Sequence, residues 1–293
     1  MPTSGANAKV IAIEPSGHFA YVGNIVSNDI TIFAINSTTG SLTKVGSPVP
    51  AGGIPRSIVV GPTGDVLYVV NQDVNHLTGF SIDTTTGALT PLTGTVPTDN
   101  LPVALAFHPT SPFAYVVNAD SNDITVYRVV ERTALGLLGA VPVRTNPVSI
   151  TIHPSGKTAY VANVSSNDIA TFTIDTTTGA LTPLDPVASP GDPTSVTVDS
   201  RGRFAYVTNS EAGKISVFSI DATTGALTPA STASAGTNPI AFALDPSGRF
   251  AYVANLESDN ITTFAVDSTT GALTPAGPAL NAGTGPASVT LLK

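Results

Sequence analysis

Phe204-Ala205-Tyr206-Val207-Thr208-Asn209 is a short, nearly unbroken apolar run, with Gly202 and Arg203 before it and Ser210 and Glu211 after it. Such a run between turn-forming residues reads as a strand covered on both faces. Its phrase Tyr-Val-x-Asn recurs at Tyr21, Tyr68, Tyr115, Tyr160, Tyr206 and Tyr252, at spacings of 47, 47, 45, 46 and 46 residues. A period in the forties built from several short strands predicts an all-β protein, a β-propeller of four-stranded antiparallel blades.

Working outward from this strand, each copy supplies three more. Before it stands Ser195-Val196-Thr197-Val198, matched by Ser57 to Val60, Ala104 to Phe107, Ser149 to Ile152 and Ile240 to Leu244. Small and large residues alternate there with period two, which places them on opposite faces of an innermost strand. A turn such as Asp245-Pro246-Ser247-Gly248 joins the two, with proline presetting φ and glycine taking the positive φ. After it come a third strand, such as Ile261 to Val266, and a fourth, Ala272 to Thr274, linked by Asp267-Ser268-Thr269-Thr270-Gly271. The aspartate of that hairpin (Asp83, Asp175, Asp221, Asp267; Asn36 in the first copy) is read as an Asx turn, not as a site residue. The third copy lacks the motif and has Glu131-Arg132-Thr133-Ala134-Leu135-Gly136 instead.

Six copies of the second, third and fourth strands accompany seven of the first, since Val10-Ile11-Ala12-Ile13 opens the chain and Ser288-Val289-Thr290-Leu291 closes it. The expectation is a single propeller domain over residues 1–293 with six blades in a closed ring. A seven-bladed parent or an incomplete ring is the alternative.

The chain is 42% hydrophobic and 11% charged with 26 Gly and 24 Pro, too apolar for disorder and too punctuated for long helices. Net charge is −8, and its 12 Lys and Arg never form a run, so no nucleic-acid partner is expected. No apolar stretch of about eighteen residues occurs, so no membrane insertion is expected. The start, Met1-Pro2-Thr3-Ser4-Gly5, has no secretion-signal pattern and is read as a mature form. Few Lys and many Thr and Ser point to an exported bacterial protein, extracellular, periplasmic or on the cell surface, with the cytoplasm as alternative. Cysteine is absent, which excludes disulfides, thiolate metal sites and a thiol nucleophile.

Chemistry must lie where the repeat is broken. After the proline that opens the first strand, the copies carry Arg56, Val103, Val148, Thr194 and Ile240, and Lys9 takes the corresponding place in the first copy. Gln72-Asp73-Val74-Asn75-His76 replaces the usual Ser-Asn-Asp pattern, and Arg144 stands where another copy has Gly236. Lys9, Arg56, Asp73, His76 and Arg144 are therefore the candidate ligand-binding residues, on a loop face suited to an anion. His108 and His153 share the register of Glu14, Asp199 and Asp245 before the turn, and a local turn hydrogen bond is expected of them. No cofactor is expected, and no metal site, since no loop has calcium spacing and His76 stands alone. No nucleophile elbow or phosphate loop appears.

Phe204 to Asn209, Ser166 to Ile169 and Asp175 to Pro183 resemble the repeats of YVTN-type propellers of microbial surface proteins and of the 6-phosphogluconolactonase-like propeller lactonases. The resemblance spans almost the whole chain. It implies, for an enzyme, an Arg-His pair after the proline of a first strand and a glutamate after the asparagine of a second. Here the third copy has Pro102-Val103-Ala104 and Asn118-Ala119 at those places. The expectation is accordingly a non-catalytic propeller that binds a small molecule, glycan or protein. A lactonase-type hydrolase with a site near Arg56 and His76 is the alternative, and a surface-layer structural module the second alternative.

Overall fold

A computed structural model describes residues 5–131, 134–189 and 191–292. They form six antiparallel blades and, among the described residues, no helix: the fold class is the six-bladed β-propeller. Two compact units share the blades: Met1–Phe107 with Pro112–Ala140 and Leu292–Lys293, and His108–Ser111 with Val141–Leu291.

In the first unit, blade 1 is Ala8–Ile13, Phe19–Asn24, Asp29–Ile35 and Leu42–Pro50. Blade 2 is Pro55–Val60, Val66–Asn71 and His76–Ile82, with an outer strand broken into Leu89–Pro91 and Val96–Pro97. Blade 3 is Pro102–Phe107, Phe113–Asn118, Asp123–Val130 and Ala134–Pro142, whose last two residues fall to the second unit. In that unit, blade 4 is Pro147–Ile152, Thr158–Asn163, Asp168–Ile174 and Leu181–Pro183 plus Val187–Ala188. Blade 5 is Pro193–Val198, Phe204–Asn209, Lys214–Ile220 and Leu227–Ser234. Blade 6 is Pro239–Leu244, Phe250–Asn255, Asn260–Val266 and Leu273–Pro275 plus Leu280–Asn281.

The second strands are buried from end to end in blades 1 to 5, as the apolar run predicts. Their cores lie between neighbouring blades: Tyr21, Ile30 and Ile32 of blade 1 pack with Ile58, Leu67 and Phe80 of blade 2. Tyr206 of blade 5 stacks on Phe242 of blade 6, with ring centroids 4.9 Å apart. Burying a side chain of this size stabilises by roughly 1.5–3 kcal/mol. Repeats that must cover one another explain why tyrosine, asparagine and hairpin glycine travel together. Tyr21 Oη donates to Gly87 O at 3.2 Å and Tyr160 Oη to Gly225 O at 2.8 Å, each reaching the hairpin of the next blade. Gly87 has φ of 73°, and a Cβ there would lie 2.4 Å from the Phe19 ring.

The repeated asparagine is scaffold too. Asn118 Nδ2 donates to Asp123 Oδ1 and to Thr125 Oγ1, each at 2.7 Å, knitting the second strand to the third. The hairpin aspartates are Asx turns, Asp83 Oδ1 accepting from Thr85 N at 2.9 Å and from Thr86 N at 3.1 Å. His108 meets its expectation and exceeds it. Its Nδ1 accepts from Thr110 N and Ser111 N, while Nε2 reaches Gly156 O at 2.8 Å.

Two expectations are corrected. Ser288 to Leu291 forms no strand. The outer strand is longer than Ala272 to Thr274 indicates: proline interrupts it in blades 2, 4 and 6, and a second short segment rejoins the same third strand. Of the third copy's irregular loop, Arg132 and Thr133 lie outside the described residues; Glu131 beside them has φ of 48°.

Leu101 has φ of 57°, a region that favours Asn, Asp or Gly, immediately before Pro102. Asn146 and Asn238 hold the equivalent place before Pro147 and Pro239 at φ of 57° and 55°. Leu101→Asn is expected to stabilise the protein by about 1 kcal/mol, read as a rise in the thermal midpoint; an unchanged or lower midpoint would show that the leucine's packing outweighs its backbone strain.

Acid stability follows from the turn carboxylates. Burial pushes Glu14 up, but the Ser16 hydroxyl and the N–H groups of Ser16, His18 and Phe19 outweigh it and hold its pKa below the ordinary value. Backbone N–H groups, first those of Thr85, Thr177 and Thr270 or Thr224 in their own hairpins, likewise lower Asp83, Asp175, Asp267 and Asp221. Asp123 opposes them, raised chiefly by burial. A depressed folded pKa contributes stability above the unfolded value and loses it as pH falls through the folded one. The thermal midpoint should therefore hold through neutral pH and fall below about pH 4, and a calorimetric series showing a rise there would contradict this assignment.

Candidate active site

In every blade the first strand opens with an unpaired bulge residue. Pro55 faces Asn71 and Ser57 faces Val70, leaving Arg56 without a cross-strand partner. The same shift frees Lys9, Val103, Val148, Thr194 and Ile240. A bulge bends its strand and re-aims one side chain, and such bulges gather beside active sites. Sequence reading found the position but not its geometry; the signal was an extra residue between proline and the start of the small-large alternation.

Blade 2 brings together Arg56, Asp73 and His76. The row Pro55, Asn71, His76, Pro97 crosses the blade at one end, because His76 pairs with both Asn71 and Pro97. Two strand spacings, about 10 Å, therefore separate the backbone at Pro55 from that at His76. Asp73 lies in the loop between second and third strands, and its Oδ1 accepts from Ile54 N at 2.7 Å. That bond assigns it a structural task, fixing the approach of the chain to Arg56.

His76 Nδ1 lies 3.1 Å from Val74 O. A carbonyl only accepts, so the proton belongs on Nδ1, and Nε2 carries a lone pair with no partner among the described residues. Neighbouring Asn75, at φ of 51°, accepts from Leu101 N at 3.0 Å and donates to Asn100 Oδ1 at 3.3 Å, which anchors the loop to the start of blade 3.

Arg56 has no ion-pair partner among the described residues, and burial lowers its pKa. By surface area the residue is nonetheless exposed. A side chain walled by protein but open on one side satisfies both, and the exposure decides that a ligand can reach it. An arginine keeps its charge throughout. Lys9 holds the equivalent bulge of blade 1, whose first strand packs directly against that of blade 2. Arg144 does not join this group: it belongs to the second unit, where its Nε lies 3.3 Å from Asp168 Oδ2. With Arg144 54% exposed, the pair is worth no more than about 1 kcal/mol.

A cavity of about 680 Å³ runs along blade 5 in the second unit, past Asn209, Glu211, Lys214, Ser216 and Ser231. It contains none of the five candidate residues. Volume and chemistry thus part company, and the unpaired cation and free imidazole of blade 2 are the better guide to reactivity.

These features define a propeller that carries a cation and a histidine lone pair at one end of a blade. The sequence matches the family described as lactonase, 7-bladed beta-propeller over residues 2–107, 93–198 and 190–290, and the chain belongs to that family. A candidate 6-phosphogluconolactonase from Bacteroides uniformis has a similar structure, with TM-score 0.87 and 18% identity, over 97% of this chain and 89% of that one. One from Bacteroides fragilis gives 0.87 and 20%, over 98% and 88%. The periplasmic gluconolactonase PpgL of Pseudomonas aeruginosa gives 0.83 and 20%, over 97% and 88%. No curated protein matches the chain. The family match overturns the expectation of a non-catalytic binding propeller: it favours the lactonase-type hydrolase that the missing Arg-His pair and glutamate had placed second. The Arg-His pair and the glutamate are absent from the third copy, and among the bulge positions of the six blades only those of blades 1 and 2 carry a cation.

Proposed function

We propose that the protein is a lactonase-type hydrolase that opens a small anionic lactone at the Arg56 end of blade 2. The observation that carries this reading is the unpartnered Nε2 of His76, with its proton held on Nδ1 by Val74 O, on the same blade end as an unpaired arginine. Family membership and the gluconolactonase names of similar structures support it.

Arg56, with Lys9 beside it, draws the substrate's anionic group and the carbonyl oxygen, on which negative charge grows during attack. His76 Nε2 takes a proton from water as the water oxygen bonds to the carbonyl carbon. The tetrahedral adduct then breaks its bond to the ring oxygen, which takes that proton back from the imidazolium. One water is consumed, and a hydroxy acid leaves. A cation in a chain of net charge −8 is a local inversion of field, and it selects for anionic substrates.

Turnover of paired lactones that differ only in an anionic substituent tests the selectivity. The charged member is expected to have the higher kcat/KM, by at least about tenfold. Equal turnover of both would remove Arg56 and Lys9 from substrate recognition.

A further inference from the structure

In five blades the residue two places beyond the leucine that opens the outer strand is Lys44, Pro91, Pro183, Pro229 or Pro275; in blade 3, counted from the matching Leu135, it is Leu137. The outer strand is the free edge of each blade, with one face of its backbone groups unpaired. Lysine and proline are the residues that keep such an edge from pairing with another chain. Blade 3 has lost that protection and kept the strand at full length, nine residues from Ala134 to Pro142. Alone among the outer strands of five or more residues, it carries no proline before its last residue. None of its residues is charged, and Leu137 and Leu138 are 59% and 51% exposed.

We propose that Ala134–Pro142 is a self-association edge, pairing antiparallel with the same strand of a second copy. A strand without charge is its own best antiparallel partner, since no residue meets a like charge and the contact closes on a two-fold axis. The rest of the chain argues for the same occupant. Net charge is −8, so two copies repel over most of their surfaces and approach most readily at an uncharged strip. Consecutive leucines project to opposite faces of the strand, so pairing covers Leu137 on one face and Leu138 on the other.

Sedimentation velocity of the full chain over a concentration series reads this out. A discrete, concentration-dependent dimer is expected. Leu137→Lys and Leu137→Pro, which restore the residues of the other blades and should fold as they do, are each expected to weaken the dimer at least about tenfold. Mixing Leu137→Lys with Leu137→Glu should bring a heterodimer back, and amides of 134–142 should gain exchange protection as the wild type dimerises. A wild type monomeric throughout, a dimer indifferent to Leu137→Lys and Leu137→Pro, or open-ended aggregates in place of a dimer would each overturn the proposal. So would a dimer whose 134–142 amides stay unprotected, which would place the contact elsewhere.

Discussion

His76→Gln lowers kcat for lactone hydrolysis by about 10² to 10⁴-fold, the range expected for loss of a positioned general base. Glutamine keeps a polar group of similar reach but has no lone pair able to take a proton at neutral pH. His76 opens the third strand of blade 2, on the row shared with Asn71, and is half-buried rather than packed in the core. The exchange should therefore leave folding intact. The distinguishing readout is the split between the kinetic constants: loss of the base lowers kcat and leaves KM near its wild-type value. A variant that merely distorted the loop would raise KM as well.

Arg56→Ala is the second large effect. Removal of a donor to a developing oxyanion costs about 10² to 10³-fold in rate, and for an anionic lactone the loss falls on KM as well. Because Arg56 is a bulge residue outside the ladder register, its backbone position survives the change. Arg56→Lys should recover only part of the loss, since an ammonium cannot reproduce the planar fork of a guanidinium. Neutral lactones should lose less than anionic ones, which separates a binding role from a general loss of structure.

Much of this was legible in the sequence. The second strands declare themselves because they are covered on both faces, and the hairpin aspartates because Asx turns need the same residues wherever they occur. Arg56, Asp73 and His76 stood out as breaks in a repeat, which is a sound signal in a protein that writes itself six times. What was hidden is geometric. Nothing local announces that the residue after Pro55 leaves the ladder, since a bulge is defined by what lies across the strand. Arg144 looked equivalent to Arg56 by charge, yet the partner that claims it, Asp168, lies 24 residues away. Asp73 stood out as a candidate ligand, and the structure shows one oxygen of its carboxylate accepting from Ile54 N. The extra outer segments of blades 2, 4 and 6 escaped notice because two residues are too few to show any period. The function was misjudged for a related reason: the absence of the family's Arg-His pair and glutamate was weighed above a resemblance that spans almost the whole chain.

The most direct trial of the account is turnover of an anionic sugar lactone by the wild type and by the Arg56→Ala/His76→Gln double variant, measured together against buffer. The account predicts hydrolysis well above the spontaneous rate for the wild type and a folded double variant close to that rate. Equal hydrolysis by both, or none by either, would contradict it.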